Sequence, residues 1–196
     1  MNYVGLDLSY TGTGFYMIGE DGNDVSFEIC SNPSSFDNDI ARSDGIASVI
    51  VREFGKKDIF VAMEDYFAGK QPSSVIKLAT LGTVVRMKLL ECGYSFVTFA
   101  PAQIKKFETG SGNAPKDTML KSVFKKHGFD TVSNNIADAC AMAHMGKAYC
   151  EWKEGKRDFL KYECDILKKI VSTRNVVSPY DLNEMTELVQ VKKREN

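Results

Sequence analysis

The feature that most constrains this chain is one acid inside an apolar strand. In YVGLDLSYTGTGFYMI, residues 3–18, Val4, Leu6 and Leu8 alternate with Gly5, Asp7 and Ser9, so the two sets face opposite sides of a strand. Threonines and glycines then turn the chain into a second apolar run, residues 15–18, and the pair reads as a β-hairpin. A carboxylate within such a strand loses its hydration, a costly state unless a cation or a set of donors meets it. Gly5 and Ser9, on the same face as Asp7, leave room for a ligand to approach.

The rest of the chain supplies the other elements in an informative order. Residues 25–30 (VSFEIC) read as a third strand, followed by the turn-rich SNPSSFDND. Residues 40–54 carry apolar positions at 46, 49, 50 and 54, a helix ended by Gly55. Residues 58–64 (DIFVAME) form a short buried strand closing on an acid, and 69–74 are a loop. Residues 75–90 (VIKLATLGTVVRMKLL) form an amphipathic helix in which Gly82 admits a close neighbour. Residues 94–99 alternate as a strand, and Pro101 opens a short helix, PAQIKKF. A flexible glycine-rich loop, 108–114, precedes a basic helix that starts at Pro115 and runs to His127. Ser133 or Asn134 caps the helix through NIADACAMAHMGKAYCEW.

Three strands can pair as an antiparallel meander, whereas the later two need helical crossovers and add in parallel. The order fits an α/β ribonuclease H-like fold: a five-stranded mixed sheet flanked by helices over residues 1–152. Residues 153–196 read as a charged helical C-terminal extension with a break at Ser178-Pro179 and a basic end, KKRE.

Composition narrows the function classes. No apolar run approaches the ~20 residues of a membrane helix, and the first strand begins with no basic region or signal-type apolar core before it. Cysteines at 30, 92, 140, 150 and 164 are odd in number and include no C-x-x-C pair, so they read as reduced thiols of a cytoplasmic protein. The net charge of −1 conceals an asymmetry: residues 1–65 hold 4 Lys/Arg against 12 Asp/Glu, and residues 66–128 hold 10 against 3. Carboxylates gathered beside an anion-attracting surface are the expectation.

Three acids stand where this fold can unite them: Asp7 in the first strand, Glu64 at the end of the fourth, and Asp138 on a late helix. Asn135 shares the face of Asp138. The pair is expected in the first helical turn, where the helix dipole helps keep Asp138 ionised. Oxygen donors without His or Cys spacing suit Mg²⁺ or Mn²⁺ rather than Zn²⁺. Two such ions ~4 Å apart serve phosphodiester hydrolysis. Each acid alone has an ordinary structural explanation; the joint pattern carries the reading. The methionines are core filler, His144 is structural, and Gly128 marks an ordinary helix end at His127.

Over residues 1–150 the chain resembles a RuvC-type Holliday junction resolvase. GLDLSYTGTGFYMI matches that family's opening hairpin with Asp7 as first acid. MEDYF matches its fourth-strand motif, with Glu64 as second acid and Phe67 at the aromatic position that inserts into the junction. SSVIKLATLGTVVRMKLL, PAQIKKF, NAPK and NNIADACAMAHM resemble the segments that follow, the last bringing Asp138 as final acid. Many members carry an acid three residues before that one, where this chain has the neutral Asn135.

The resemblance implies a metal-dependent endonuclease for four-way and other branched DNA. It implies a homodimer with the 75–90 helix as candidate contact, and two Mg²⁺ ions, replaceable by Mn²⁺, on Asp7, Glu64, Asn135 and Asp138. Lys105, Lys106, Lys116, Lys121, Lys125 and Lys126 would meet phosphates, Lys116 also reaching the scissile one, and Phe67 would stack on a base. Divergence and the extra tail suggest a phage-type member. A branched-DNA-binding protein with weak or no cleavage is the alternative, Asn135 having weakened the metal site. An actin-like ATPase or sugar kinase fits less well, because TGSGN lacks the strand acid a second phosphate motif needs and the chain is short for a duplicated fold; no nucleotide cofactor is expected.

Overall fold

Apolar residues on one face of the first two strands, and Gly5 and Gly14 on the other, let the pair take helices of different closeness on its two sides. The structure, a computed structural model, describes residues 1–66, 72–156, 158–173 and 175–179. Its elements are β1 (Asn2–Asp7), β2 (Thr13–Ile18), β3 (Val25–Ile29), α1 (Asp39–Phe54), β4 (Ile59–Glu64), α2 (Pro72–Glu91), β5 (Ser95–Phe99), α3 (Pro101–Thr109), α4 (Lys116–His127), α5 (Asn134–Lys153), α6 (Lys161–Ser172) and β6 (Val176–Val177).

β1, β2 and β3 form the antiparallel meander, β4 adds parallel to β1, and β5 adds parallel to β4. The α/β mixed sheet therefore forms as expected, with one correction. Among the described residues it has six strands, in the order β3-β2-β1-β4-β5-β6, because Val176–Val177 pairs antiparallel with β5. Two residues of strand offer no period to read in a sequence. The extension contributes the expected helix, α6, and this strand as well.

One face of the sheet packs Val4, Leu6, Phe15, Val61 and Met63 against Ile46, Ile50 and Phe54 of α1 and Leu81, Val85 and Leu89 of α2. The other packs Tyr16, Ala62, Val97 and Phe99 against α5, with α3, α4 and α6 around it. Ile166, Leu167 and Ile170 of α6 belong to this second core. No helix among the described residues is long and apolar enough to cross a membrane.

α5 rests almost backbone to backbone on the sheet. A Cβ built on Gly5 would lie 1.8 Å from the carbonyl oxygen of Ala139, and one on Gly14 would lie 2.1 Å from that of Asn135. Arg42, almost fully buried, fixes the loop after β1: its Nη2 donates to the Tyr10 carbonyl at 2.7 Å and to the Ser31 carbonyl at 2.8 Å. Three sequence boundaries shift. α2 begins at Pro72, inside the loop expected over 69–74, because proline suits a first helical turn. Pro115 is the N-cap of α4, not its first residue. α3 continues through Glu108, which is 2% exposed and so not part of a flexible loop; its carboxylate accepts from Ser122 Oγ at 2.8 Å and lies 3.0 Å from His127 Nε2.

Gly5→Ala is expected to lower the unfolding free energy by about 3 kcal/mol or more, because the clash is with backbone that cannot step aside. Urea unfolding should show it, beside a change within about 0.5 kcal/mol for the exposed Ser48→Ala.

Candidate active site

Strand pairing puts Asp7 and Glu64 side by side. β1 and β4 run parallel with Leu6 opposite Met63, so the next residue of each is an acid at the end of strands about 4.8 Å apart. Leu6 and Met63 face the α1–α2 core; by alternation the two carboxylates face the other way, towards α5. Ser133 caps that helix, its Oγ accepting from Ile136 N at 3.2 Å. Asn135 stands in the first turn, and Asp138, the fifth helical residue, stands in the second.

The three acids feel one another. Burial, then the charges of Asp138 and Glu64, push the Asp7 carboxyl up to about 8, with Lys116 opposing. Burial and Asp138 raise Glu64, with Lys105 opposing. Burial also raises Asp138, against the pull of Lys105 and Lys116. Asp138 is thus the acid that both lysines favour, and its charge bears on the other two. The expectation that the helix dipole holds Asp138 ionised is corrected here. In the second turn the dipole has faded, burial dominates, and the compensation comes from lysine side chains.

Each lysine has a distinct place. Lys105, on α3, is half-buried and acts on Glu64 and Asp138. Lys116 is the first residue of α4, where a cation opposes the helix dipole; the neighbouring acids supply what holds it. Lys106, Lys121 and Lys125 are exposed on α3 and α4. Lys126 donates to the Phe107 carbonyl at 3.1 Å, clasping α4 to α3. Phe67 lies outside the described residues.

Sequence reasoning missed Arg86. Its Nη2 donates to the Glu64 carbonyl at 3.1 Å and lies 3.7 Å from Asp65 Oδ1, while its guanidinium covers the Tyr66 ring at 3.9 Å. Gly82, one turn earlier, leaves the space for Arg86 and Tyr66. An arginine directly after the apolar pair Val84-Val85, one turn beyond Gly82, was the available signal. Asn135 is engaged too: its Nδ2 donates to the Gly12 carbonyl at 2.9 Å, tying α5 to the β1–β2 turn.

The donor set is carboxylate and amide oxygen, which fits Mg²⁺ or Mn²⁺. Among the described residues, no three His, Cys, Asp or Glu side chains are drawn together closely enough to hold an ion as they stand. The raised proton affinities of the three buried carboxylates are the complement of an affinity for another cation. The residues fit the group.

The family described as "Crossover junction endodeoxyribonuclease RuvC" matches residues 3–145. A protein of that name from Synechococcus sp. (strain WH7803) is 28% identical over 154 residues, 74% of this chain and 97% of the relative. One from Helicobacter acinonychis (strain Sheeba) is 46% identical over 87 residues, 43% of this chain and 55% of the relative. The chain thus spans about half the length of the Helicobacter relatives it matches. Among solved structures, "Thermus thermophilus RuvC structure" superimposes with a TM-score of 0.66 at 20% identity, covering 78% of this chain and 97% of that one. "T. thermophilus RuvC in complex with Holliday junction substrate" gives 0.63 at 18%, covering 80% and 97%. Both share the fold.

Asp7 links stability to pH. Because its folded-state value lies above that of an unfolded aspartate, the folded chain binds the extra proton. The stability that Asp7 contributes to the metal-free chain is therefore fullest below pH ~4 and is lost as pH rises towards 8. Asp7→Asn should remove that decline and raise metal-free stability at pH 8 by about 2–4 kcal/mol, read as urea midpoints from pH 5 to 9.

Proposed function

The chain belongs to the RuvC family of crossover junction endodeoxyribonucleases, and from that premise we propose that it is a divalent-metal-dependent, structure-selective endonuclease that resolves Holliday junctions. The observation that carries the reading is the strand pairing that sets Asp7 beside Glu64, with the helix bearing Asp138 packed on those strands and Lys105 and Lys116 within electrostatic reach. Asp7, Glu64 and Asp138, with the Asn135 carbonyl, would hold Mg²⁺ or Mn²⁺, two ions per site. Bound there, the ions supply an activated water and stabilise the departing oxygen of the phosphodiester.

The protein's own groups do the rest. Arg86 holds the end of β4 so that Glu64 keeps its place. Lys116 faces the scissile phosphate and offsets charge developing on it. Lys105, Lys106, Lys121 and Lys125 meet neighbouring phosphates, which gives salt-sensitive binding with little sequence information. Phe67 stacks on a base at the crossover.

Paired cuts need two sites related by a two-fold axis, hence a homodimer. α2 offers the contact, with Ile76, Leu78 and Met87 each about half exposed or more. The nuclease unit is residues 1–152, and the extension from 153 buttresses α5 through α6. Five free thiols suit the cytoplasm, where the DNA substrate lies.

The alternative, a branched-DNA-binding protein with weak cleavage, draws on Asn135, which brings no charge and spends its amide on Gly12. A labelled four-way junction separates the two. The wild type is expected to nick it in Mg²⁺ or Mn²⁺. Asp7→Asn should bind it but nick at least about 10³-fold more slowly, and Lys116→Ala about 10²-fold more slowly with near-normal binding. Binding without nicks by the wild type would favour the alternative.

A further inference from the structure

The acidic corner extends further along the sheet than Asp7. The registers of β1, β2 and β3 place Asp7 opposite Gly14 and Gly14 opposite Glu28, so the two acids occupy one row with a glycine between them. Residues directly paired across antiparallel strands share a face, so Glu28 lies on the α5 side, as Asp7 does. No side chain fills the gap at Gly14; the backbone of Asn135 does. Asn135 therefore sits in a notch with one carboxylate on either hand.

Glu28 is built into this corner rather than merely near it. Its Oε1 accepts from the Oγ of Ser133, the same hydroxyl that caps α5 by accepting from Ile136 N. Its Oε2 and the Nδ2 of Asn135 converge on Gly12: a Cβ there would lie 2.9 Å from the first and 3.3 Å from the second. The Glu28 side chain is exposed, so a hydrated cation can reach it. Its charge is felt at Asp7, in the same sense as those of Asp138 and Glu64.

From the row Asp7–Gly14–Glu28 and the convergence of Glu28 with Asn135 at Gly12, we propose that Glu28 is an electrostatic positioning residue of the cation site. It supplies from β3 the negative charge that Asn135 does not bring from α5. The inference rests on the metal-site reading above and adds to it a residue on a separate strand. Glu28 need not touch the ion. One row position beyond Gly14 it acts through space, as a charge, and not through the hydrogen bond to Ser133.

Calorimetric titration of the metal-free full-length protein with Mn²⁺ tests this without recourse to cleavage. Glu28→Gln keeps an oxygen for Ser133 and removes only the charge. It should weaken Mn²⁺ binding roughly five- to tenfold while leaving the metal-free melting temperature unchanged. Adding Asn135→Asp to that variant should restore the affinity. Ser133→Ala, which keeps the charge and loses the hydrogen bond, should bind Mn²⁺ within about twofold of wild type.

Wild-type affinity in Glu28→Gln, with binding lost in Asp7→Asn, would overturn the role of Glu28 and leave the metal site standing. An equal loss in Ser133→Ala and Glu28→Gln would reduce Glu28 to a structural part and overturn the proposal as well. Undiminished binding in Asp7→Asn would overturn the metal site itself, and this inference with it.

Discussion

Everything at the candidate site depends on how closely α5 lies on the sheet. Glycines at 5 and 14 remove the side chains that would hold a helix at ordinary distance, and carbonyls of Ala139 and Asn135 occupy the vacated space. Small residues on the helix complete the fit: Ala137, Ala139 and Ala143 are fully buried. Ordinary helix-on-sheet packing separates the layers by about 10 Å, the spacing of two well-filled faces. Here the missing Cβ atoms bring the helix that carries Asp138 down onto the strands that carry Asp7 and Glu64. Specificity of position thus comes from absent atoms.

That closeness has an electrostatic consequence. Three carboxylates share a poorly hydrated space, and each is harder to ionise for it. The protein meets part of the imbalance with Lys105 and Lys116, drawn from two different helices. The α3–α4 seam that carries both lysines is held by buried polar contacts, with Glu108 bridging Ser122 and His127 and Lys126 reaching Phe107. His127 stacks on His144 of α5 at 3.6 Å, so the seam is keyed to the helix bearing Asp138. Acids and bases are therefore positioned by one interlocked set of elements.

Much of this was legible in the sequence, for reasons that particular residues make clear. Alternation around Asp7 and the run ending in Glu64 carry the period of strands, and parallel pairing then makes the acids neighbours. The alanines around Asp138 announced a close helix. What could not be read was tertiary in origin. Val176–Val177 becomes a strand because β5 offers it an edge, not because two valines demand it. Glu108 looked like the start of a glycine loop, and its burial follows from partners 14 and 19 residues away. Asp138 falls in the second turn rather than the first, as the fifth residue after the Ser133 cap. Glu28 gave no signal on its own; its meaning comes from the row it shares with Asp7.

The sixth strand also changes how this sheet can meet other chains. Unpaired strand margins invite edge-to-edge association, and proteins suppress it with short or charged borders. At one border the sheet tapers to the two residues of β6, too brief to template a newcomer. The opposite border, β3, is longer, and there an outward glutamate and an exposed serine, Glu28 and Ser26, interrupt the apolar pattern of Phe27 and Ile29. A charge at this margin thus acts as a gatekeeper against sheet extension, so the same carboxylate bears on both solubility and the chemistry of the neighbouring corner.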